Sequence, residues 1–195
     1  MQTDAMPSVV FLRGINVGGA NLCKPAQLAK QLKKFDIVNI GAVGTFVVRK
    51  NVSHSTLRKK FAAQLKKDFK IKCEIMIVPA KALVDLAKKD PFARQPSGPD
   101  ITRFMSILQK PLSSSHVTNA SPARTHSSLA LPSEKDWLLK IIAIRNQFVL
   151  GIYKREMKAI GYLGKIEKIL GVPATTRSWT TIEKVAKILR QDSRD

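Results

Sequence analysis

The stretch FLRGINVGG, residues 11–19, places three glycines and one arginine directly after a short apolar run. Glycines let the backbone adopt positive φ and let another group approach closely. A run of backbone N–H groups ahead of a helix can hold an anion, and a guanidinium adds a forked contact to it. The sequence therefore predicts one half of an anion site, formed by Arg13, Gly14, Asn16, Gly18 and Gly19.

The spacing of these glycines excludes two familiar nucleotide-binding loops. A dinucleotide fingerprint needs G-x-G-x-x-G, which is absent here. A Walker A loop needs Lys and then Ser or Thr after its last glycine, but Ala20 and Asn21 follow Gly19. A standard nucleoside triphosphatase is thus excluded. The residues leave open an ordinary strand-to-helix turn, in which Arg13 pairs with a nearby carboxylate.

A second polar stretch, LGVPATTRSWTT at residues 170–181, sets hydroxyls and an arginine before a helix. Hydroxyl, guanidinium and helix N-terminus all suit hydrogen bonding to a negative group. Thr176, Arg177 and Trp179 are therefore predicted as the other half of the anion site. The alternative is an ordinary helix start, with Thr180 as the cap and Trp179 in the core.

No residues for acid–base, nucleophilic or metal chemistry stand out. The carboxylates lie mostly beside lysines or in tails, and no pair suggests an acid and a base that share a cleft. His54, His116 and His126 form no H-x-x-x-H pattern, so neither a metal nor a cofactor is expected. Catalytic residues are unknown, and whether the chain is an enzyme stays open.

The chain is strongly basic, with 34 Lys and Arg against 14 Asp and Glu and a formal charge of +20. Such a field attracts phosphate-rich partners, although a general bias towards basic proteins would give the same number. Non-catalytic binding of nucleic acid or another polyanion is the leading hypothesis, and a pocket for a phosphate-bearing small molecule is the alternative. The residues expected to contact nucleic acid are Lys33, Lys34, Arg58, Lys59, Lys60, Lys66 and Lys67.

These residues must be positioned by an N-terminal half that alternates strands and helices. Apolar runs predict strands at 7–12, 37–40, 45–48 and 74–78, and helical spacing predicts helices after Pro25 and Ser53. The order β-α-β-β-α-β is the ferredoxin-like plan. Some ferredoxin-like sheets stack RNA bases on strand aromatics, and Phe11 and Phe46 lie near those positions, although both fit a core role better.

The rest of the chain predicts a second α+β half packed against the first. A helix at 80–89 precedes a strand at 101–108, a serine-rich segment at 112–128 and a hairpin around Arg145 and Asn146. The fold class is therefore α+β. The predicted subdomains are residues 1–92 and 93–195, or one intertwined domain.

Cys23 and Cys73 form no C-x-x-C motif, which is typical of a protein with reduced cysteines. The sequence shows neither a signal peptide nor an apolar run long enough to span a bilayer. A cytoplasmic protein with no membrane partner is expected. The oligomeric state is left open.

Together, LRGINVGG and LGVPATTRSWTT resemble the bacterial domain-of-unknown-function 1697 family. The chain departs from the family pattern at Ser178 and Thr180, where asparagines are usual, and at Ala20, where lysine is frequent. The family's Ser-Gly-Asn turn is replaced by residues 42–45. The resemblance implies an α+β fold with a ferredoxin-like first half, and it implies no assigned activity.

Overall fold

The computed structural model describes residues 7–19, 21–112 and 129–191. The chain divides into two compact units: the first comprises the residues up to Lys89 together with those from Glu183 onwards, and the second spans Asp90–Ile182. Most of the serine-rich segment, with His116 and His126, lies outside the described residues, as does Ala20.

The first unit follows the element order β-α-β-β-α-β and adds a third helix. Its elements are β1 (Ser8–Leu12), α1 (Pro25–Gln31), a single 3-10 turn (Lys33–Phe35), β2 (Ile37–Asn39), β3 (Thr45–Val48), α2 (His54–Phe69), β4 (Ile75–Pro79) and α3 (Ala80–Lys88). The sheet order is β2-β3-β1-β4, and every neighbouring pair is antiparallel.

One face of this sheet forms a core with α1 and α2. Val10 lies opposite Phe46 on β3 and Ile77 on β4, so their side chains point to the same face. Both helices add apolar side chains to this cluster at helical spacing. The contributing residues are Leu28 and Leu32 from α1, and Leu57, Phe61 and Leu65 from α2.

Helix α2 begins and ends where its sequence provides caps. The Ser53 side chain accepts a hydrogen bond from the backbone N–H of Thr56 at 3.3 Å, which satisfies one of the free donors of the first turn. Lys70 takes the left-handed conformation (φ 58°) and ends the helix. Leu57, Phe61 and Leu65 recur every four residues and form the buried stripe.

The second unit is built on a five-stranded antiparallel sheet of order β6-β7-β8-β5-β9. The predicted hairpin is present, with Asn146 at positive φ between its two strands. Its elements are β5 (Ile101–Leu108), β6 (Leu129–Leu131), β7 (Leu139–Arg145), β8 (Phe148–Lys154), α4 (Met157–Leu170) and β9 (Ala174–Ser178). The last helix, α5 (Trp179–Gln191), begins in this unit and belongs to the first unit from Glu183 onwards.

The fold class predicted from the sequence, α+β, is confirmed by these helices and antiparallel sheets. The predicted cap of the last helix is wrong. Thr180 lies inside α5, and the Ser178 side chain instead accepts from the backbone N–H of Thr181 at 3.4 Å. Of the described helices, none is long and apolar enough to cross a bilayer.

Candidate functional site

The glycine loop after β1 owes its glycines to backbone conformation. Gly14, Gly18 and Gly19 have φ values of 66°, 59° and 77°, a region that side chains with a Cβ rarely adopt. A Cβ atom built on Gly18 or Gly19 would meet nothing within 4 Å, so steric crowding does not select glycine there. This part of the loop is exposed to solvent, where an incoming group can reach the backbone.

Asn16 uses its whole side-chain amide to hold this loop in place. Its Nδ2 donates to the carbonyls of Cys23 at 2.9 Å and Ala42 at 2.7 Å, and its Oδ1 accepts from the backbone N–H of Cys23 at 2.8 Å. Its φ of 56° is one that asparagine tolerates better than most residues. Asn16 therefore positions the loop, and its predicted contact with an anion stays a prediction.

Arg13 forms the carboxylate pair that the ordinary-turn alternative requires. Its Nη1 lies 2.7 Å from Glu74 Oε2, and its backbone N–H donates to the Glu74 carbonyl at 3.0 Å. The two side chains are 40% and 34% exposed, so the pair is half-buried and accessible from solvent. An anion that bound Arg13 would have to share the guanidinium with Glu74.

Two free thiols lie in the same unit as the loop. Cys23 is buried and Cys73 is partly buried against the same core cluster. Burial raises the pKa of Cys73 to about 11, and the neighbouring Cys23 thiol adds to this effect. Burial also raises the pKa of Cys23. Both residues are therefore protonated at neutral pH and are weak nucleophiles there.

The second predicted stretch forms an edge strand, β9, which pairs with β5. The hydroxyls of Ser106 on β5 and Thr176 on β9 lie 2.7 Å apart. Arg177 Nη1 donates to Thr175 Oγ1 and to the Thr176 carbonyl, both at 2.8 Å. Arg177 is only 6% exposed.

Burial lowers the pKa of Arg177 to about 10, so the side chain still carries its charge at neutral pH. Trp179 is 4% exposed, and its ring packs edge-on against Phe92 with centroids 4.9 Å apart. That packing is the core role that the sequence left open for Trp179.

The two predicted halves of the anion site belong to different units. Arg13, Gly14, Asn16, Gly18 and Gly19 lie in the first unit, and Thr176, Arg177 and Trp179 lie in the second. Their joint binding of one ligand stays a prediction.

The predicted basic residues lie on the solvent side of the first unit. Lys33 and Lys34 are exposed on the 3-10 turn, and Lys59, Lys60, Lys66 and Lys67 are exposed on α2. Arg58 differs from them, because its Nε approaches the Ile75 carbonyl at 3.4 Å. Among the described residues, none of the four α2 lysines takes part in an ion pair.

Three of the four carboxylates within residues 7–89 pair with cations outside α2. Residues 7–89 contain 17 Lys and Arg against four Asp and Glu. One of these four acids, Asp68, lies on α2 and accepts a hydrogen bond from Gln64 at 2.7 Å. The other three pair with cations outside α2: Glu74 with Arg13, Asp36 with Arg49 and Asp85 with Lys81.

The two phenylalanines of the first sheet are buried and are not available for base stacking. Phe11 and Phe46 are both 0% exposed, and the register of β1 and β3 places them on opposite faces. Phe46 packs against Phe61 with ring centroids 5.3 Å apart. Both residues are core residues, as their sequence context favoured.

His54 is the histidine that the described residues include. His54 Nε2 lies 3.1 Å from Ser8 Oγ, and burial, with a smaller effect of Arg58, lowers its pKa. Within residues 7–19, 21–112 and 129–191, no group of three or more His, Cys, Asp or Glu is placed to hold a metal ion.

Comparison with known proteins identifies the family. A solved structure, the conserved bacterial protein SP0830 from Streptococcus pneumoniae, aligns over 94% of this chain and 98% of its own with a TM-score of 0.59. Its sequence identity of 14% shows a shared fold alone. No curated protein matches the chain. The family model for a protein of unknown function, DUF1697, matches residues 6–133, which include the glycine loop and end before β9. The chain therefore belongs to the DUF1697 family.

Proposed function

We propose that this protein is a non-catalytic binder of nucleic acid, or of a polyanion of similar charge density, through one basic surface of its first unit. The surface, here called the helical basic face, comprises Lys33, Lys34, Lys59, Lys60, Lys66 and Lys67, with Arg58 at its border. The observation that carries the proposal is that the four α2 lysines are exposed and form no ion pair within the described residues.

The spacing of the α2 lysines suits an extended anionic partner. Lys59 and Lys66 are seven residues apart, as are Lys60 and Lys67, so each pair spans two helical turns and about 10 Å of axis. Residues separated by seven positions lie on the same side of a helix. The face therefore offers two rows of cations, whereas a compact ligand would need one convergent cluster.

The charge balance supports attraction over distance. An exposed lysine that pairs with a nearby acid contributes little field, but three of the four acids of residues 7–89 pair with cations outside α2. The fourth, Asp68, lies on α2 and accepts a hydrogen bond from Gln64. Lysines that neutralise phosphates release condensed counterions, which drives association and makes it depend on salt. A general bias towards basic proteins would explain the number of lysines, but it would not explain why Glu74, Asp36 and Asp85 pair with cations outside α2.

Binding through lysines of this kind reads the phosphate backbone and not the base sequence. Ammonium groups act as point charges, and Phe11 and Phe46 are fully buried and offer no platform for bases. We therefore expect weak discrimination among sequences, and affinity set mainly by phosphate density.

Labelled single- and double-stranded DNA and RNA, titrated at several salt concentrations, test the proposal. If about six phosphates are contacted on duplex DNA, log K falls against log salt with a slope near −5. An acidic polypeptide of matched length serves as the comparison polyanion. Absence of binding to every nucleic acid at physiological ionic strength would contradict the proposal.

A further inference from the structure

Large apolar side chains are exposed at one end of the first unit's sheet. Val17 is 63% exposed, Leu22 is 70% exposed and Val43 is 39% exposed. Val17 and Leu22 lie in the loop between β1 and α1, and Val43 lies in the turn between β2 and β3. Other exposed large hydrophobic residues in the described chain are Met157 and Ile160, both on α4 of the second unit.

These three side chains are displayed by one hydrogen-bonded network. Asn16 donates to the Ala42 carbonyl at 2.7 Å, and its backbone N–H donates to the Asn21 carbonyl at 3.3 Å. Val17, Leu22 and Val43 each directly follow one of these three residues in sequence. The loop and the turn are therefore held together at this end of the sheet, and their three exposed apolar side chains are here called the apolar tip.

The same end of the sheet is basic. Leu12 at the end of β1 lies opposite Ile75 at the start of β4, so the segment before Ile75 is at this end. It carries exposed Lys70 and Lys72, and exposed Lys24 immediately precedes α1. The acid of this segment, Glu74, is paired with Arg13.

Exposed aliphatic residues and exposed lysines at the same end of the sheet match the surface of an anionic lipid bilayer. Apolar side chains enter the boundary between head groups and acyl chains, while lysines remain with the lipid phosphates. A patch for stacking nucleic-acid bases would carry aromatic rings, and none of the exposed large hydrophobic residues in the described ranges is aromatic. Like charge opposes the approach of a second copy to this end.

We infer that the apolar tip is a docking surface for anionic membranes, in which Val17, Leu22 and Val43 insert and Lys24, Lys70 and Lys72 contact lipid phosphates. Surface binding of this kind needs no spanning helix, so it revises the expectation that the protein has no membrane partner. It uses residues outside the helical basic face and stands apart from the proposed function.

Co-sedimentation with vesicles tests this inference. The full chain is mixed with vesicles of phosphatidylglycerol and phosphatidylethanolamine, and with vesicles of phosphatidylcholine alone. We expect binding to the anionic vesicles and much weaker binding to the zwitterionic ones. The triple variant V17S/L22S/V43S should lose about tenfold or more in partitioning, because methyl and methylene groups that left water are removed.

The variant M157S/I160S is the matched control, since it removes exposed apolar side chains from the second unit. It should partition as the unchanged protein does. Equal binding by the triple variant and the unchanged protein, or no binding of the unchanged protein to anionic vesicles, would overturn the inference.

Two further measurements separate the alternatives. The triple variant should bind nucleic acid with unchanged affinity, so failure of vesicle binding and failure of the proposed function are read independently. Sedimentation velocity without vesicles should give the same mass for both proteins. If the unchanged protein were a dimer and the triple variant a monomer, the apolar tip would instead be assigned to contact with a second copy of the chain.

Discussion

The side-chain amide of Asn16 donates a 2.7 Å hydrogen bond to the carbonyl of Ala42 and so joins the glycine loop to the turn between β2 and β3. The two residues are far apart in sequence, and neither is part of a helix or strand. Three side-chain hydrogen bonds from one partly buried residue fix the position of a loop that would otherwise be mobile.

Asn16→Ala should therefore lower the free energy of unfolding by about 2–4 kcal/mol, from lost hydrogen bonds and from positive φ at alanine. Asn16→Gly loses the same bonds but accepts φ 56°, so it should be about 1 kcal/mol more stable than the alanine variant. Urea denaturation measures both. Free energies within about 0.5 kcal/mol of the unchanged protein for both variants would contradict the role of Asn16.

Gly151→Ala should destabilise the second unit. A Cβ atom at Gly151 would overlap the Phe104 ring and lie 2.5 Å from the Lys140 carbonyl oxygen. Relief requires backbone movement in the middle of the sheet, which costs about 1–3 kcal/mol. Gly164→Ala is the control in the same unit, because a Cβ there meets open space within α4.

The control variant Gly164→Ala should raise the free energy of unfolding by about 0.5–1 kcal/mol, since alanine favours the helix more than glycine does. Thermal and urea denaturation of the two variants give the comparison. Similar stability of both variants would show that Phe104 does not occupy the space beside Gly151.

The Cys73 thiol should make stability fall at alkaline pH. Its pKa is about 11 in the folded protein and 9.0 in its ordinary state, so the unfolded chain loses this proton first as the pH rises. The contribution is fully present below pH 9 and is lost as the pH rises through 11. Urea denaturation at several pH values should show that Cys73→Ser makes the free energy of unfolding fall less steeply between pH 9.0 and about 11.

Alkylation by iodoacetamide gives an independent readout of the same thiol. At pH 8 the thiolate fraction of Cys73 is about a hundredfold lower at the raised pKa, so labelling of the folded protein should be much slower than labelling in urea. Equal rates in the two states would contradict the assigned pKa.

The predicted anion site is tested by thermal shift against a panel of nucleotides and sugar phosphates. A ligand held by Arg13 should raise the melting temperature of the unchanged protein, and Arg13→Gln should remove the shift. Glu74→Gln should increase it, because Glu74 competes for the same guanidinium. A panel in which no compound stabilises the unchanged protein would contradict the site.

Sequence periodicity located the elements whose burial is regular. The buried stripe of α2 is predictable because Leu57, Phe61 and Leu65 recur at helical spacing. Strand β9 does not show in the pattern because two of its three buried residues, Thr175 and Arg177, are polar. Thr175 and Arg177 bond within the strand itself, and Ser106 meets Thr176 across the pairing with β5.

The loops were harder to anticipate than the elements, for a physical reason. Glycines at residues 14, 18 and 19 indicated positive φ, and φ is positive there. The role of Asn16 depends on Ala42, which belongs to a separate turn that no local pattern connects to it. The pairing of Asp36 with Arg49 likewise depends on two residues that the fold brings together.

The salt dependence of duplex DNA binding by K59Q/K60Q/K66Q/K67Q tests the central claim most directly. Its matched control, K158Q/K168Q/K184Q/K187Q, loses the same charge from exposed positions on α4 and α5. If the helical basic face contacts phosphates, the α2 variant should bind more weakly and its slope of log K against log salt should shrink by about 3–4, while the control keeps a slope near that of the unchanged protein. If both variants lost affinity for duplex DNA and salt slope to the same extent, net charge alone would attract DNA, and a dedicated binding face would be contradicted.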